Sequence, residues 1–443
     1  MQCREVIYIH PYTPMYDPLT IPFSLPALIK RIPVEVAGFS HSEIKDEHIR
    51  NAKIIIIDIH WYLSLLGAVE LVRKIRRLNP KAKIIAGGVT ASEYAKTLVD
   101  SFDIDYVIRG DAEIPLPSLI NALLNEQENI RLVPNVVGKH GFETPQNYHL
   151  TQQDLDDNEF YNVDFFPAFK KRILNIHKKS RSWPPGTSYP YLIPFRGCPL
   201  DCKSCIGGKG EQKKLFKRGL VVRSPERLRD DLDTLAADPN IRFVSVFHDF
   251  LALLPEHYSE TMLTKKIDLY LTYEFTSAPS LEMLKLLLKS FAGGGMYFSC
   301  DKQHLTSQEL NDPELMIRLI KEVKKTSSYI PLLNYNGLFL AKNKEYRQWV
   351  KYVYKRSKPL LCNTATWWVD FPQPDENGYA NSECFYKFMN YNKIAKKANL
   401  AMIKFQEKIA QMIDASLPGM FTMWLRKFRV KTRDFLKTPS LYI

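Results

Sequence analysis

Short, wholly apolar runs alternate with helically spaced stretches along the first third of the chain. Val6-Ile7-Tyr8-Ile9 predicts a buried strand, followed by a Pro-punctuated loop from Pro11 to Pro22 and a brief helix near Leu25 to Arg31. Lys53-Ile54-Ile55-Ile56-Ile57-Asp58 is an uninterrupted apolar run of the sort that parallel sheets bury on both faces, and Gly67 to Leu78 then carries Val69, Val72 and Ile75 at helical spacing. The order repeats: strand Lys83 to Ala86 ending in Gly87-Gly88, helix near Glu93 to Ser101, strand Tyr106 to Ile108, helix near Leu116 to Leu124. Such alternation predicts a doubly wound, flavodoxin-like α/β domain over 1–135, with its ligand crevice beyond the carboxyl ends of the strands, where Asp58, Gly87, Gly88, Arg109 and Gly110 fall.

From 136 to 184 the periodicity fades into a linker rich in Asn, Asp, Pro and aromatics, with basic patches at Lys170-Lys171-Arg172 and Lys178-Lys179-Ser180-Arg181, which we expect to pack on both neighbours. Over 185–375 strand-like runs return at Tyr189 to Phe195, Arg242 to Phe247, Ile267 to Tyr273, Met296 to Ser299, Ile330 to Leu333 and Pro359 to Leu361. Helical patterns at 225–237, 280–291, 313–325 and 344–356 alternate with them. That order predicts a second parallel α/β domain, most simply a partial (β/α)6 barrel. A basic helical region, 376–443, follows.

With 443 residues, 45% of them hydrophobic, the chain can bury two or three cores, which excludes a peptide and wholesale disorder. No stretch approaches eighteen consecutive apolar residues, and the opening MQCREVIYIHP reads as a strand, so we expect neither a membrane span nor a signal peptide. The net charge of +13 is unevenly spread: 393–443 holds eleven Lys and Arg against Glu407, Asp414 and Asp434, interleaved with Ile394, Leu400, Ile403, Phe405 and Trp424. This amphipathic tail either packs on the barrel or lies on an anionic membrane surface or a lipid-like substrate. Charge alone does not make a nucleic-acid reader, and no recognisable reading module accompanies it.

Seven cysteines are too sparse for a disulfide scaffold, which points to a reducing, cytoplasmic setting, with peripheral membrane association left open. Three of the seven crowd into Phe195-Arg196-Gly197-Cys198-Pro199-Leu200-Asp201-Cys202-Lys203-Ser204-Cys205-Ile206-Gly207-Gly208. Cysteines at C-x3-C-x2-C on one loop can bring three thiolates to a single metal cluster and leave one iron without a protein ligand. Structural zinc, in a non-catalytic binding protein, is the competing reading; it wants four ligands, and the fourth would have to come from Cys300, Cys362, Cys384 or a remote histidine. Three cysteines suit a 4Fe-4S cluster better.

This loop, after the first strand of a parallel barrel, resembles the signature of the radical S-adenosylmethionine (SAM) superfamily. The resemblance covers roughly 185–375. It implies that Cys198, Cys202 and Cys205 hold a 4Fe-4S cluster, that SAM chelates the remaining iron, and that one electron cleaves SAM to a 5'-deoxyadenosyl radical. It further implies SAM contacts at Gly207 and Gly208 and at the strand ends Glu274 and Ser299, and an electron donor such as a ferredoxin or flavodoxin. Ser204 departs from the aromatic residue often found before the third cysteine.

The run from Lys83 to Leu124, with Gly87-Gly88 and Arg109-Gly110-Asp111-Ala112-Glu113, resembles the cobalamin-binding domain fused ahead of many radical SAM enzymes. In such domains the glycines let the corrin's nucleotide tail pass close to the backbone. The D-x-H-x-x-G motif of other cobalamin proteins is not met: Asp58-Ile59-His60 begins it, but Leu63 stands where glycine should be. We therefore expect cobalamin without a ligand from His60 or His10. Radical SAM methylthiotransferases carry three further cysteines in their front domain, whereas this one has only Cys3. These resemblances imply a cobalamin-dependent methyltransferase acting on an unactivated carbon of a small-molecule or lipid-like substrate, with radical rearrangement or cyclisation as the alternative. Two further segments face the expected barrel mouth. Trp367-Trp368 with the loop Asp370 to Gly378 reads as a turn with core aromatics or as a substrate cover, and His248-Asp249 is a candidate proton donor.

Overall fold

The computed structural model describes residues 4–13, 21–60, 62–125, 128–179, 189–199, 208–246, 249–252, 258–259, 263–275, 277–300 and 313–335, with scattered positions between 348 and 397. The N-terminal sheet holds β1 (Val6–His10), β2 (Val36–Ser40), β3 (Ile54–Asp58), β4 (Lys83–Gly87), β5 (Tyr106–Ile108) and β6 (Val136–Gly138), in the order β2-β1-β3-β4-β5-β6. All pairings are parallel except β5 with β6. The chain steps outward from β1 to β2, then back across β1 to β3 and onward. The switch point therefore lies between the carboxyl ends of β1 and β3.

The apolar runs divide strictly between the two faces of this sheet. Ile7, Ile9, Ile55, Ile57, Ile84 and Ala86 pack under Leu65, Val69, Val72 and Ile75 of the helix Leu65–Leu78. Val6, Tyr8, Ile54, Ile56, Ile85 and Ile108 face the helices Leu25–Lys30 and Pro115–Leu124. Two buried faces are why these strands read as continuous rather than alternating.

Two departures from the sequence reading follow from the linker. Val136–Gly138 extends the first sheet as an antiparallel edge strand, so sheet pairing continues past residue 135. The segment beyond it is also ordered into the helices Gln152–Asp156 and Pro167–Lys179. Lys170 and Lys171 lie on the exposed side of the second helix, while Phe169, Ile173 and His177 are buried. His177 stacks on Phe243 at 3.7 Å, its Nε2 donates to the Tyr189 carbonyl at 3.0 Å and its Nδ1 accepts from Arg242 N at 3.1 Å. Burial pushes its pKa down to about 4, so a neutral imidazole ties the linker to the second sheet. Strand β2 was also missing from the sequence reading, because Gly38 interrupts its apolar run.

Among the described residues the second sheet comprises β9 (Phe243–Val246), β10 (Ile267–Phe275), β11 (Phe291–Cys300) and β12 (Tyr329–Tyr335), all parallel and in sequential order. The helices Pro225–Ala237, Leu281–Ser290 and Pro313–Lys324 cover one face through Leu228, Leu232, Leu284, Leu287, Met316 and Ile320. The expected first strand, Tyr189 to Phe195, contributes a parallel bridge between Tyr191 and Ser245. Its end, β7 (Phe195–Arg196), turns to pair antiparallel with β8 (Val221–Val222). The expected sixth strand, Pro359 to Leu361, lies outside the described residues. No helix among the described residues is long and apolar enough to cross a membrane.

Candidate functional site

At the switch point three polar side chains form a buried cluster. Tyr8 donates to Asp58 Oδ1 at 2.5 Å, and His10 Nδ1 lies 2.9 Å from the same oxygen. Burial works against ionisation of Asp58, but the charge and hydrogen bond of His10 outweigh it and hold the carboxyl below its ordinary value. His10 is 2% exposed, and its Nε2 has no hydrogen-bond partner among the described residues. His60 follows two residues after Asp58. Burial and the nearby Arg196 guanidinium lower its pKa to about 4 against the pull of Asp58, so His60 is neutral near neutral pH.

The glycines at the strand ends have distinct roles. Among the described residues a Cβ on Gly87 would meet nothing within 4 Å. Gly88 has φ +109°, and a Cβ there would stand 2.8 Å from His60 N and Cα, so the turn after β3 already requires this glycine. Gly110 has φ +77° and faces the Leu215 carbonyl, 3.4 Å from where its Cβ would sit. Its special conformation serves the docking of the helix Lys209–Phe216 that follows the cysteine loop.

That loop is held at both legs. Strands β7 and β8 form its stem, Gly197 and Cys198 open it, and buried Gly208 caps the helix that closes it. On the incoming leg Arg196 Nη1 donates to Glu113 Oε1 at 2.9 Å, and Nη2 lies 3.7 Å from Asp111 Oδ1. On the outgoing leg Arg218 grips Asp111 with two bonds, Nε to Oδ2 at 2.6 Å and Nη2 to Oδ1 at 2.7 Å. Both carboxylates are wholly buried. The end of the helix is also tied to the segment that follows β6: Gln146 Nε2 donates to the Leu215 carbonyl, and His149 Nδ1 lies 3.0 Å from the Phe216 carbonyl. Cys198 is partly exposed, whereas Cys202, Cys205 and Gly207 lie outside the described residues. The sequence displayed Asp111 and Glu113 but gave no sign of Arg218 as their partner.

This clamp has a pH consequence. Burial opposes ionisation of Asp111, yet the Arg218 hydrogen bond and the charges of Arg196 and Arg218 outweigh it, and the carboxyl sits below its ordinary value. Its stabilisation is thus fully present above the unfolded pKa of about 3.9 and is lost as pH falls through the lower folded value. Asp111→Asn is expected to lower the urea midpoint at pH 7 and to flatten the loss of stability below about pH 4. An acid limb identical to wild type would show that the pair contributes no pH-dependent stability.

On the second sheet Glu274 is partly buried near the carboxyl end of β10, opposite Tyr297. Ser299 lies one residue before the end of β11, in register with Asn334 of β12. Asp249 accepts from Tyr273 at 2.5 Å and from Ser277 N at 3.3 Å, so this buried carboxylate anchors the turn after β9. His248, Trp367-Trp368, the loop Asp370 to Gly378 and most of the basic tail lie outside the described residues. Where the C-terminal region is described, it packs on the helices that cover the first sheet. Phe385 is fully buried beside Tyr94 and Phe102, and Lys396 pairs with Glu70 at 2.8 Å.

The site is thus a cysteine-bearing loop at the junction of a switch-point domain and a parallel strand–helix sheet. No protein family and no curated protein matches the sequence. Solved structures do share the fold. The radical SAM methyltransferase TsrM from Kitasatospora setae, with tryptophan substrate and a SAM analogue bound, superposes with a TM-score of 0.54 at 16% identity, over 74% of this chain and 67% of that one. TsrM with cobalamin and a [4Fe-4S] cluster bound gives 0.56 at 14% identity, over 81% and 74%. The cobalamin-dependent SAM radical enzyme OxsB, with aqua-cobalamin and SAM bound, gives 0.53 at 15% identity. Its match covers 88% of this chain but 56% of OxsB, so the chain spans little over half of that enzyme.

Proposed function

We propose that this chain is a radical SAM enzyme whose Cys198, Cys202 and Cys205 hold a 4Fe-4S cluster, and that it acts as a cobalamin-dependent methyltransferase on an unactivated carbon. The observation that carries the reading is the pinning of a C-x3-C-x2-C loop, by both legs, between a switch-point domain and a parallel sheet. The shared fold of TsrM and OxsB supports it.

The residues present fit these groups. Three thiolates on one loop are the donor set that a cluster with one open iron needs, and partly exposed Cys198 stands where the stem opens. Among the described residues nothing stands within 4 Å of where a Gly87 Cβ would sit, and the buried His10 Nε2 has no hydrogen-bond partner there. When bound, the cluster supplies the electron that splits SAM into methionine and a 5'-deoxyadenosyl radical, and cobalamin supplies a carrier for the methyl group. The chain's own part is to hold and orient. Arg196 and Arg218 fix the two legs of the loop, Gly208 starts the helix that closes it, and the strand ends at Glu274 and Ser299 provide polar atoms for SAM. His60, neutral near pH 7, adds no charge to the crevice between Asp58 and Arg196.

Anaerobically purified and reconstituted protein should contain iron, sulfide and cobalt, and after reduction should convert SAM to 5'-deoxyadenosine even without substrate. A loaded, reduced cluster that neither binds nor cleaves SAM would overturn the reading, and stoichiometric zinc in place of iron would favour the metal-stabilised binding protein. For cobalamin, His60→Ala should leave the absorption spectrum of the bound cofactor unchanged, because we assign no ligand role to this imidazole. A shift of that spectrum would make His60 a ligand. A ferredoxin or flavodoxin as electron donor, and a lipid-like substrate met at a membrane surface by the basic tail, complete the proposal.

A further inference from the structure

The N-terminal domain commits two wholly buried carboxylates to the loop of the other domain. Asp111 and Glu113 are 0% exposed at their side chains, and each meets a guanidinium from a different leg. Burying four charges is a costly way to attach two surfaces, since apolar residues of similar size hold domains together as well. The geometry has features beyond attachment. Arg218 Nη1 donates to the Arg196 carbonyl at 3.2 Å, which ties the two legs to each other as well as to Asp111. Arg196 stands two residues before Cys198, and its charge is balanced by Glu113 at 2.9 Å.

On the other side the acidic turn is rigidly mounted. Leu150 N donates to Asp111 Oδ2 at 3.0 Å and Asn135 Nδ2 to the Asp111 carbonyl at 3.2 Å. One residue earlier, Gly110 N donates to Ser92 Oγ at 3.0 Å, and Ser92 Oγ donates to the Gly88 carbonyl at 2.8 Å. An unbroken set of hydrogen bonds and ion pairs therefore runs from the glycine turn at the crevice, through Ser92 and the acidic turn, to both legs of the cysteine loop.

We infer that the Asp111–Glu113 turn is the positioning element for the two legs of the cysteine loop, so that it sets both the placement of those legs, with Cys198 on one of them, and the charge beside the group the cysteines hold. Asp111 acts as a positioning residue through Arg218, and Glu113 through Arg196. The inference rests on the proposed function for the identity of that group, a 4Fe-4S cluster, but not for the placement of the loop. Removing one carboxylate charge leaves a guanidinium unbalanced near the cluster. Unbalanced positive charge favours the more negative, reduced cluster, so the reduction potential should move in the positive direction.

The test compares wild type, Asp111→Asn and Glu113→Gln, with Asp111→Glu as the conservative variant, all as the full chain with native circular dichroism confirmed. In cluster-free protein, alkylation of Cys198, Cys202 and Cys205 followed by peptide mapping should run about tenfold faster in the first two variants, the factor for roughly 1.4 kcal/mol of lost restraint. In reconstituted protein the same variants should show a positive shift of midpoint potential and an altered electron paramagnetic resonance signal of the reduced cluster, with partial return in Asp111→Glu. Should Asp111→Asn fail to fold, Glu113→Gln carries the same readouts. Alkylation rates and potentials equal to wild type would overturn the inference, as would faster alkylation with an unmoved potential in loaded protein, which marks a bare structural tie. If wild type assembles no cluster, the proposed function fails, and the alkylation ratio by itself decides whether the turn positions the loop.

Discussion

Alanine at any one of Cys198, Cys202 or Cys205 should abolish the visible absorbance of the reconstituted cluster and, with it, SAM cleavage. A three-thiolate cluster has no spare protein ligand, and removing one leaves two irons exposed to solvent. Among the described residues no three His, Cys, Asp or Glu side chains converge as an alternative metal site. Iron and sulfide content measured after desalting checks the outcome. Four tightly held irons in the triple variant would mean that the ligands lie elsewhere in the chain. Fold and cluster are separate here, because the loop stem is held by β7, β8 and the acidic turn. The variants should therefore keep wild-type circular dichroism.

The largest loss of stability is expected at Arg223, which is 0% exposed. Its Nη2 bonds Asp231 Oδ2 at 2.8 Å and the Asn158 carbonyl at 2.7 Å, Nη1 bonds the Leu155 carbonyl, and the guanidinium lies 4.9 Å over the Phe160 ring. One side chain thus joins the linker to the helix Pro225–Ala237. Arg223→Ala leaves two linker carbonyls buried without their donor and Asp231 with only the more distant Arg227, at 3.5 Å, which costs about 3 kcal/mol. Replacing Arg223 and Asp231 together by Met and Leu should recover part of that loss, because the buried, poorly compensated carboxylate disappears. Denaturant unfolding of the two variants decides the matter: equal losses would mean that the ion pair is not what holds the joint.

Much of the architecture was legible from residue pattern. The runs Ile54 to Asp58 and Ile84 to Ala86 are buried on both faces, and the helix pattern at 225–237 matches Pro225–Ala237 residue for residue. The misses share a cause. In β2 the single Gly38 breaks the apolar signal. In the helix Pro167–Lys179 the basic patch masks an apolar side made of Phe169 and Ile173. Periodicity reports burial only when enough consecutive positions carry it. The roles of the glycines were only half legible, since Gly88 and Gly110 were read as approaches for a ligand, whereas the chain itself occupies the space beside both.

The sequence by itself determined what is local: alternating strands and helices, and three cysteines at C-x3-C-x2-C spacing. These follow from backbone periodicity and from donor atoms a few residues apart, which neighbours along the chain fix without reference to the rest. Only the tertiary structure decided what the loop is fastened to. Arg218 meets Asp111 across 107 positions, Arg196 meets Glu113 across 83, and Lys396 returns to Glu70 across 326. A charged residue looks the same in sequence whether it is solvated or paired, and its partner is chosen by the path of the chain. The cysteine spacing could therefore be read before the fold was known, while the buried acidic turn that meets Arg196 and Arg218 appeared only when the chain was seen folded.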